Sequence, residues 1–187
     1  MAVDTDYALA MSDGIVSKAP QDTAEPSDMN ALTTPWVDLG GINTDGLSES
    51  MKETRQTFKL WGSINIYKSV ITDEAKTFHV TFLESNPAVM ALYYRLTADP
   101  TPDVTTHIVK FADDTTGTRV LNAMVFDLTE GTNHIRYWCP RVEVTDKDDV
   151  VNKTDGERAY GVTLTAYPDD TGVAISRQFL LDAVVNA

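Results

Sequence analysis

The chain has 187 residues and a formal net charge of −13, because 15 Lys and Arg face 28 Asp and Glu. A single domain of this length buries roughly 70% of its unfolded surface, which is enough for a hydrophobic core. Clusters of bases are absent, no apolar run has the length of a membrane helix, and the start lacks the pattern of a signal peptide, so these features disfavour nucleic-acid binding and membrane association.

The first 34 residues are predicted to form an extended arm. Residues 20–35 contain three prolines and few apolar side chains, which is typical of a linker. Before them, residues 7–16 allow at most a short strand or helix. Such an arm is either a flexible tail or a segment that folds against a partner. If it docks, we expect it to do so through its apolar residues Tyr7, Leu9, Ile15 and Val16.

The globular domain is predicted to cover residues 35–187 and to begin with a short strand at 36–40. Asn43–Gly46 has the composition of a turn. Residues 43–56 are almost entirely polar and are predicted to form a long loop, and loops of this length are often functional. We expect this loop to contact a neighbouring copy through Ser48, Glu49, Lys52 and Glu53.

Two segments alternate between apolar and other side chains, which predicts strands with one covered face. The first covers 57–67 and the second 76–84. In the second, Phe78, Val80 and Phe82 share a parity. In the first, the predicted core residues are Phe58, Leu60, Ile64 and Ile66, and the residues predicted to face away from the core are Lys59 and Ser63.

One helix is predicted, at residues 86–96. Asn86 is suited to the N-cap and Pro87 to the first turn, and apolar side chains follow at helical spacing. Five more strands are expected, at 106–112, 119–128, 133–145, 158–167 and 173–181. In the strand 133–145, Trp138, Val142 and Val144 share the core parity, whereas Arg141 and Glu143 have the other. The fold class is therefore mainly β, a β-sandwich or half-barrel with one flanking α-helix.

No residue constellation indicates catalysis, a cofactor or a metal. The three histidines fall on separate strands, and Cys139 and His134 would lie on opposite faces of one strand. The acidic residues from Asp146 to Glu157 do not have calcium-loop spacing, so a hairpin loop is preferred over adventitious calcium binding. The three tryptophans fit a core better than a sugar site.

Several segments in order resemble the major tail tube protein of long non-contractile-tailed bacteriophages. These segments are Trp36–Gly40, Asp45–Leu47, Trp61–Gly62, Phe82–Asn86 leading into Leu92–Tyr94, and Tyr160–Tyr167. The resemblance covers roughly residues 30–180. It implies a structural subunit that forms hexameric rings, stacked into a tube around a tape-measure protein, with tail terminator and distal tail proteins at its ends.

The resemblance also implies a location in the phage tail, assembly in the bacterial cytoplasm, and passage of DNA through the lumen without specific binding. An acidic wall repels phosphate, which suits such a conduit. The residues predicted to face the lumen are Lys59, Ser63, Arg141 and Glu143. The alternatives are an acidic β-sandwich that binds sugar or protein, and an enzyme, for which the sequence offers no pocket residues.

Overall fold

The structure is a computed structural model that describes residues 8–112 and 117–181. Within these residues, eight strands and one helix follow each other. They are β1 (Asp13–Pro20), β2 (Val37–Asp38), β3 (Ser48–Lys59), β4 (Ile66–Phe82), α1 (Pro87–Tyr94), β5 (Asn122–Glu130), β6 (Asn133–Lys147), β7 (Tyr160–Tyr167) and β8 (Ser176–Leu180).

All eight strands belong to one antiparallel sheet with the order β2-β1-β5-β6-β7-β4-β3. Strand β6 is long enough to have two neighbours on one side. Its first half pairs with β8 and its second half with β7. The mainly-β class with one flanking helix is therefore confirmed.

The core lies between one face of the sheet and α1. Side chains of β4, β5, β6 and β7 fill it together with one face of the helix, and most of them are fully buried. Phe78 of β4 stacks on Phe126 of β5 with 4.5 Å between ring centroids. The predicted core parity of β4, with Phe78, Val80 and Phe82 inward, is confirmed by their burial.

The helix begins and ends for local reasons. Asn86 is the N-cap, its side chain accepts a hydrogen bond from the Val89 amide at 2.8 Å, and Pro87 occupies the first turn. Arg95 ends the helix in the left-handed conformation. The Asn86 side chain also donates to the Leu39 carbonyl at 3.0 Å, which attaches the helix start to the sheet edge.

Strand β1 is part of the sheet and not of a free arm. It pairs with β5 from Asp13↔Thr129 to Pro20↔Asn122. Val16 is buried in the core, and the buried Lys18 ammonium donates to the Ala88 carbonyl and forms an ion pair with Asp99. This correction to the predicted arm follows from the partner strand, because β5 supplies the hydrogen bonds and the apolar face that residues 13–20 lack by themselves.

The predicted strand at 106–112 is wrong. Asp103 accepts hydrogen bonds from the amides of Thr105 and Thr106, and the His107 amide donates to the Asp103 carbonyl. His107 also has a positive φ of 58°. Local hydrogen bonds of this kind compete with a strand ladder, so the chain turns here instead of pairing.

A β-bulge in β6 changes which side chains share a face. The pairing shifts between Asn122↔Val142 and Met124↔Cys139, so one extra residue of β6 lies between them. Cys139, Val142 and Val144 therefore all join the core. Trp138 is buried too, but outside that cluster, and its indole donates to the Thr23 carbonyl at 3.2 Å. The predicted shared parity of Trp138 with Val142 is wrong because of the bulge.

Burial makes Cys139 unreactive. Its side chain is fully buried, and loss of solvation raises the pKa of the thiol to about 12. The thiolate fraction at pH 8 is then about 1000-fold lower than for an ordinary thiol. We expect iodoacetamide to leave Cys139 unmodified in the native chain at pH 8 and to modify it rapidly in guanidinium chloride, as followed by intact mass. Rapid native labelling would contradict this burial.

Candidate assembly surfaces

The main surface feature is the long hairpin, residues 48–82, formed by β3 and β4. The two strands pair from Ser48↔His79 to Lys59↔Ile66. Only Lys76–Phe82 of β4 also pair with β7, so the residues before Lys76 have no second strand beside them in the described part of the chain. The outer edge of β3 pairs with no described strand. Such an edge presents free backbone donors and acceptors that another chain can pair with.

This hairpin corrects two predictions. Residues 43–46 do form a turn, in which the Gly46 amide donates to the Asn43 carbonyl at 3.0 Å, but the strand begins at Ser48 and not after residue 56. The polar composition of 48–56 comes from a strand with both faces exposed. Apolar and polar side chains alternate along a strand that buries one face, whereas a strand with both faces exposed to solvent lacks this alternation.

The second correction concerns residues 57–66, which are not one strand. The chain reverses between Lys59 and Ile66, with Gly62 at a φ of 75° and the Ser63 amide donating to the Leu60 carbonyl. The apolar residues predicted for the core are exposed instead. Trp61 at the turn is fully exposed, and a large fraction of the side chain is also exposed in Phe58, Leu60, Ile64 and Ile66.

We call the four residues predicted to contact a neighbouring copy the predicted stacking residues, and all of them lie on β3. Glu49 forms an ion pair with Arg177 of β8, and Glu53 forms one with Arg55. The first pair joins the base of the hairpin to the body of the domain. The second lies within the hairpin and is exposed, so it contributes little to stability.

The predicted docking-arm residues are separated by the fold. Leu9 precedes β1 and is partly buried, Ile15 is about half exposed, and Val16 belongs to the core. Tyr7 lies outside the described residues. Of the four residues, Ile15 therefore retains the exposure that a docking contact requires.

The four residues predicted for the lumen do not form one surface. Lys59 and Ser63 lie at the turn end of the long hairpin, whereas Arg141 and Glu143 lie on β6 in the body. Arg141 binds Asp22 and Asp170, and these two carboxylates raise the pKa of its guanidinium. Glu143 accepts from Arg119 at 2.7 Å.

A further feature, which the linker composition gave no reason to expect, is a strap of residues 21–36 that forms hydrogen bonds with β6 and β8. Arg136 is almost completely buried and pairs with Asp127 through two hydrogen bonds, at 2.6 and 2.8 Å. Two of its remaining hydrogens are donated to the carbonyls of Asp28 and Asn30. Strap carbonyls thus accept hydrogen bonds from Arg136, whereas in a solvated linker they would accept them from water.

The described residues contain no group of acids, histidines and cysteines that could hold a metal ion. The helix found in them has eight residues, and none is long and apolar enough to cross a membrane. What the described surface offers is instead contact area: an open strand edge and a turn with exposed apolar side chains.

A sequence-family model described as phage tail tube protein matches residues 1–185 of the chain. Among curated protein sequences, none matches. Two solved structures are similar to this one at 8% identity. One is from the virion of a native gene transfer agent particle, with 95% of this chain and 99% of that chain covered and a TM-score of 0.40. The other is from an anti-feeding prophage baseplate, with coverages of 95% and 97% and a TM-score of 0.44.

Proposed function

This chain belongs to the phage tail tube protein family, and from that premise we propose that it forms hexameric rings that stack into the tube of a phage tail. The chain is accordingly a structural protein of the virion and not an enzyme. In the proposal, the tube encloses a tape-measure protein during assembly in the bacterial cytoplasm and later conducts DNA during ejection. Tail terminator and distal tail proteins bind its two ends.

The observation that supports self-assembly most directly is the exposed apolar surface of the long hairpin. Leu60 is 64% exposed, Ile64 is 88% exposed, and Trp61 is fully exposed. Neighbouring apolar side chains on an exposed hairpin are unfavourable in water, and they typically mark a surface that another protein covers. The predicted stacking residues Ser48, Glu49, Lys52 and Glu53 keep that role in the proposal, now as part of a strand.

The net charge supports the proposed conduit. At −13 per subunit, a closed ring of identical copies is strongly acidic, and an acidic wall does not retain a passing duplex. Arg141 and Glu143 on β6 remain our candidates for the lumen. Lys59 and Ser63 fit a contact between copies better, since they lie at the end of the long hairpin.

The test is assembly of the purified chain with and without the distal hairpin. Thr54 and Asp73 are register partners, so residues 55–72 can be replaced by an Asn-Gly turn that closes a shorter hairpin. We expect tubes of the wild-type chain in negative-stain microscopy, and a folded but unassembled subunit for the shortened variant. Its far-UV circular dichroism should retain the β signal of the body.

A matched control is Val104→Ser, which changes an exposed apolar residue outside the hairpin. It should assemble like the wild type. Long tubes of the shortened variant would show that the hairpin is not an assembly element. A wild-type chain that sediments only as a monomer from low to high salt would contradict the tube itself.

A further inference from the structure

The basal cavity is a recess of about 440 Å³ beside the start of β3. Its apolar lining comes from Met11, Ile42, Leu47 and Leu128, and two carboxylates, Asp13 and Asp45, also line it. No Lys, Arg or His is among its described lining residues, and neither carboxylate has an ion-pair partner among the described residues. The recess is therefore apolar and acidic.

The opposite end of the long hairpin has the complementary character. Residues 55–72 contain three bases, Arg55, Lys59 and Lys68, and no acid, in a chain of net charge −13. Lys59 and Lys68 have no ion-pair partner among the described residues. Between these two lysines lies the turn with the exposed Leu60, Trp61 and Ile64. An apolar group flanked by cations is what an acidic apolar recess accommodates.

The two surfaces cannot meet within one chain. Leu47, in the cavity wall, immediately precedes β3, and the 12 residues of β3 separate it from the turn. A strand of that length spans about 40 Å. The turn can therefore enter only the cavity of a different copy. Because donor and receptor lie at opposite ends, each bound copy offers a new turn and a new cavity, and such head-to-tail contacts propagate into open assemblies.

We propose that the turn of the long hairpin, residues 59–66, docks in the basal cavity of a second copy of this chain. Trp61 packs on the apolar lining, while Lys59 and Lys68 face Asp13 and Asp45 at the rim. The recess has the volume of sites that enclose a drug-sized ligand, so an indole fits. This contact rests on the proposed tube function and identifies the receiving surface between successive copies.

A second apolar recess, of about 520 Å³ and lined by Val37 and Leu121 among others, is the rival receptor. Its charged lining residues are Lys18 and Asp99, which already form an ion pair with each other. It therefore offers no carboxylate to an incoming lysine. The charge on the hairpin favours the basal cavity for this reason.

Charge reversal on both surfaces tests the pairing. The variant Lys59→Glu/Lys68→Glu and the variant Asp13→Lys/Asp45→Lys each turn attraction into repulsion. Each should raise the concentration needed for tube formation by at least about tenfold. The fourfold variant, and an equimolar mixture of the two double variants, should assemble again like the wild type. Loss of assembly without rescue in either would overturn the contact.

Disulfide trapping tests the same contact and leaves both lysines of the hairpin in place. Ser63→Cys places a thiol in the turn, and Asp45→Cys places one at the cavity rim. The control carries Ser63→Cys with Val37→Cys at the rim of the rival recess. The native Cys139 can stay, because it is buried. Mild oxidation of tubes should give a ladder of covalent oligomers with Asp45→Cys and none with Val37→Cys.

The outcomes separate this contact from the tube itself. Tubes with a ladder only from Val37→Cys, or with no ladder from either pair, overturn the proposed docking and leave the tube function standing. A wild-type chain that forms no tubes overturns the tube function and the docking with it.

Discussion

Replacing Arg136 by methionine is expected to lower the free energy of unfolding by about 3–5 kcal/mol, because it leaves a buried carboxylate without its cation. Arg136 is 1% exposed and binds Asp127 through two hydrogen bonds. The same guanidinium donates to the carbonyls of Asp28 and Asn30, so the substitution also removes two of the hydrogen bonds that hold the strap on the sheet. Urea denaturation of the subunit measures the loss.

The matched control is Arg55→Met, which removes the exposed ion pair with Glu53. Exposed pairs contribute about 0–1 kcal/mol, so this variant should unfold almost as the wild type does. Limited proteolysis adds an independent readout. Cleavage within residues 21–36 should accelerate in Arg136→Met and not in Arg55→Met. Equal urea midpoints for the two variants would show that the buried pair stabilises the subunit no more than the exposed one. Equal cleavage rates would show that Arg136 does not hold the strap.

The second large effect is expected for Phe78→Ala, which should cost about 3–5 kcal/mol of unfolding free energy through a cavity in the core. The Phe78 side chain is fully buried and packs between two strands. It stacks on Phe126 and lies 6.0 Å from the Tyr137 ring. Thermal and urea unfolding should both report the loss.

The control for this substitution is Phe58→Ala on the long hairpin. Phe58 is 36% exposed and precedes the turn, so its truncation should change subunit stability by no more than about 0.5 kcal/mol. The pair of variants separates core packing from assembly. A large loss of subunit stability in Phe58→Ala would mean that the hairpin packs on the body, contrary to the structure described here.

Elements whose signal is local can be predicted from the amino-acid sequence. Asn86 and Pro87 predict the helix start, because capping depends on residues within one turn. The parity of Phe78, Val80 and Phe82 predicts the inward face of β4, because one covered face imposes a period of two. The order of motifs along the chain was also sufficient to identify the family.

Features that depend on a partner strand could not be predicted from the sequence, because they form only in the folded chain. Residues 48–56 are polar yet extended, because β4 provides their hydrogen bonds and no layer covers either face. Phe58 and Ile64 have the spacing of core residues yet are exposed, because Gly62 reverses the chain and removes them from the body.

The strap and the bulge are two further features that sequence patterns do not predict, and each depends on single residues. The linker composition of 21–36 could not reveal that Arg136, more than 100 positions later, supplies donors to its carbonyls. One extra residue in β6 places Trp138 away from the core cluster that contains Val142. Periodicity reports which residues can share a face, but register and long-range hydrogen bonds form only when the strands pair, and they decide which face is buried.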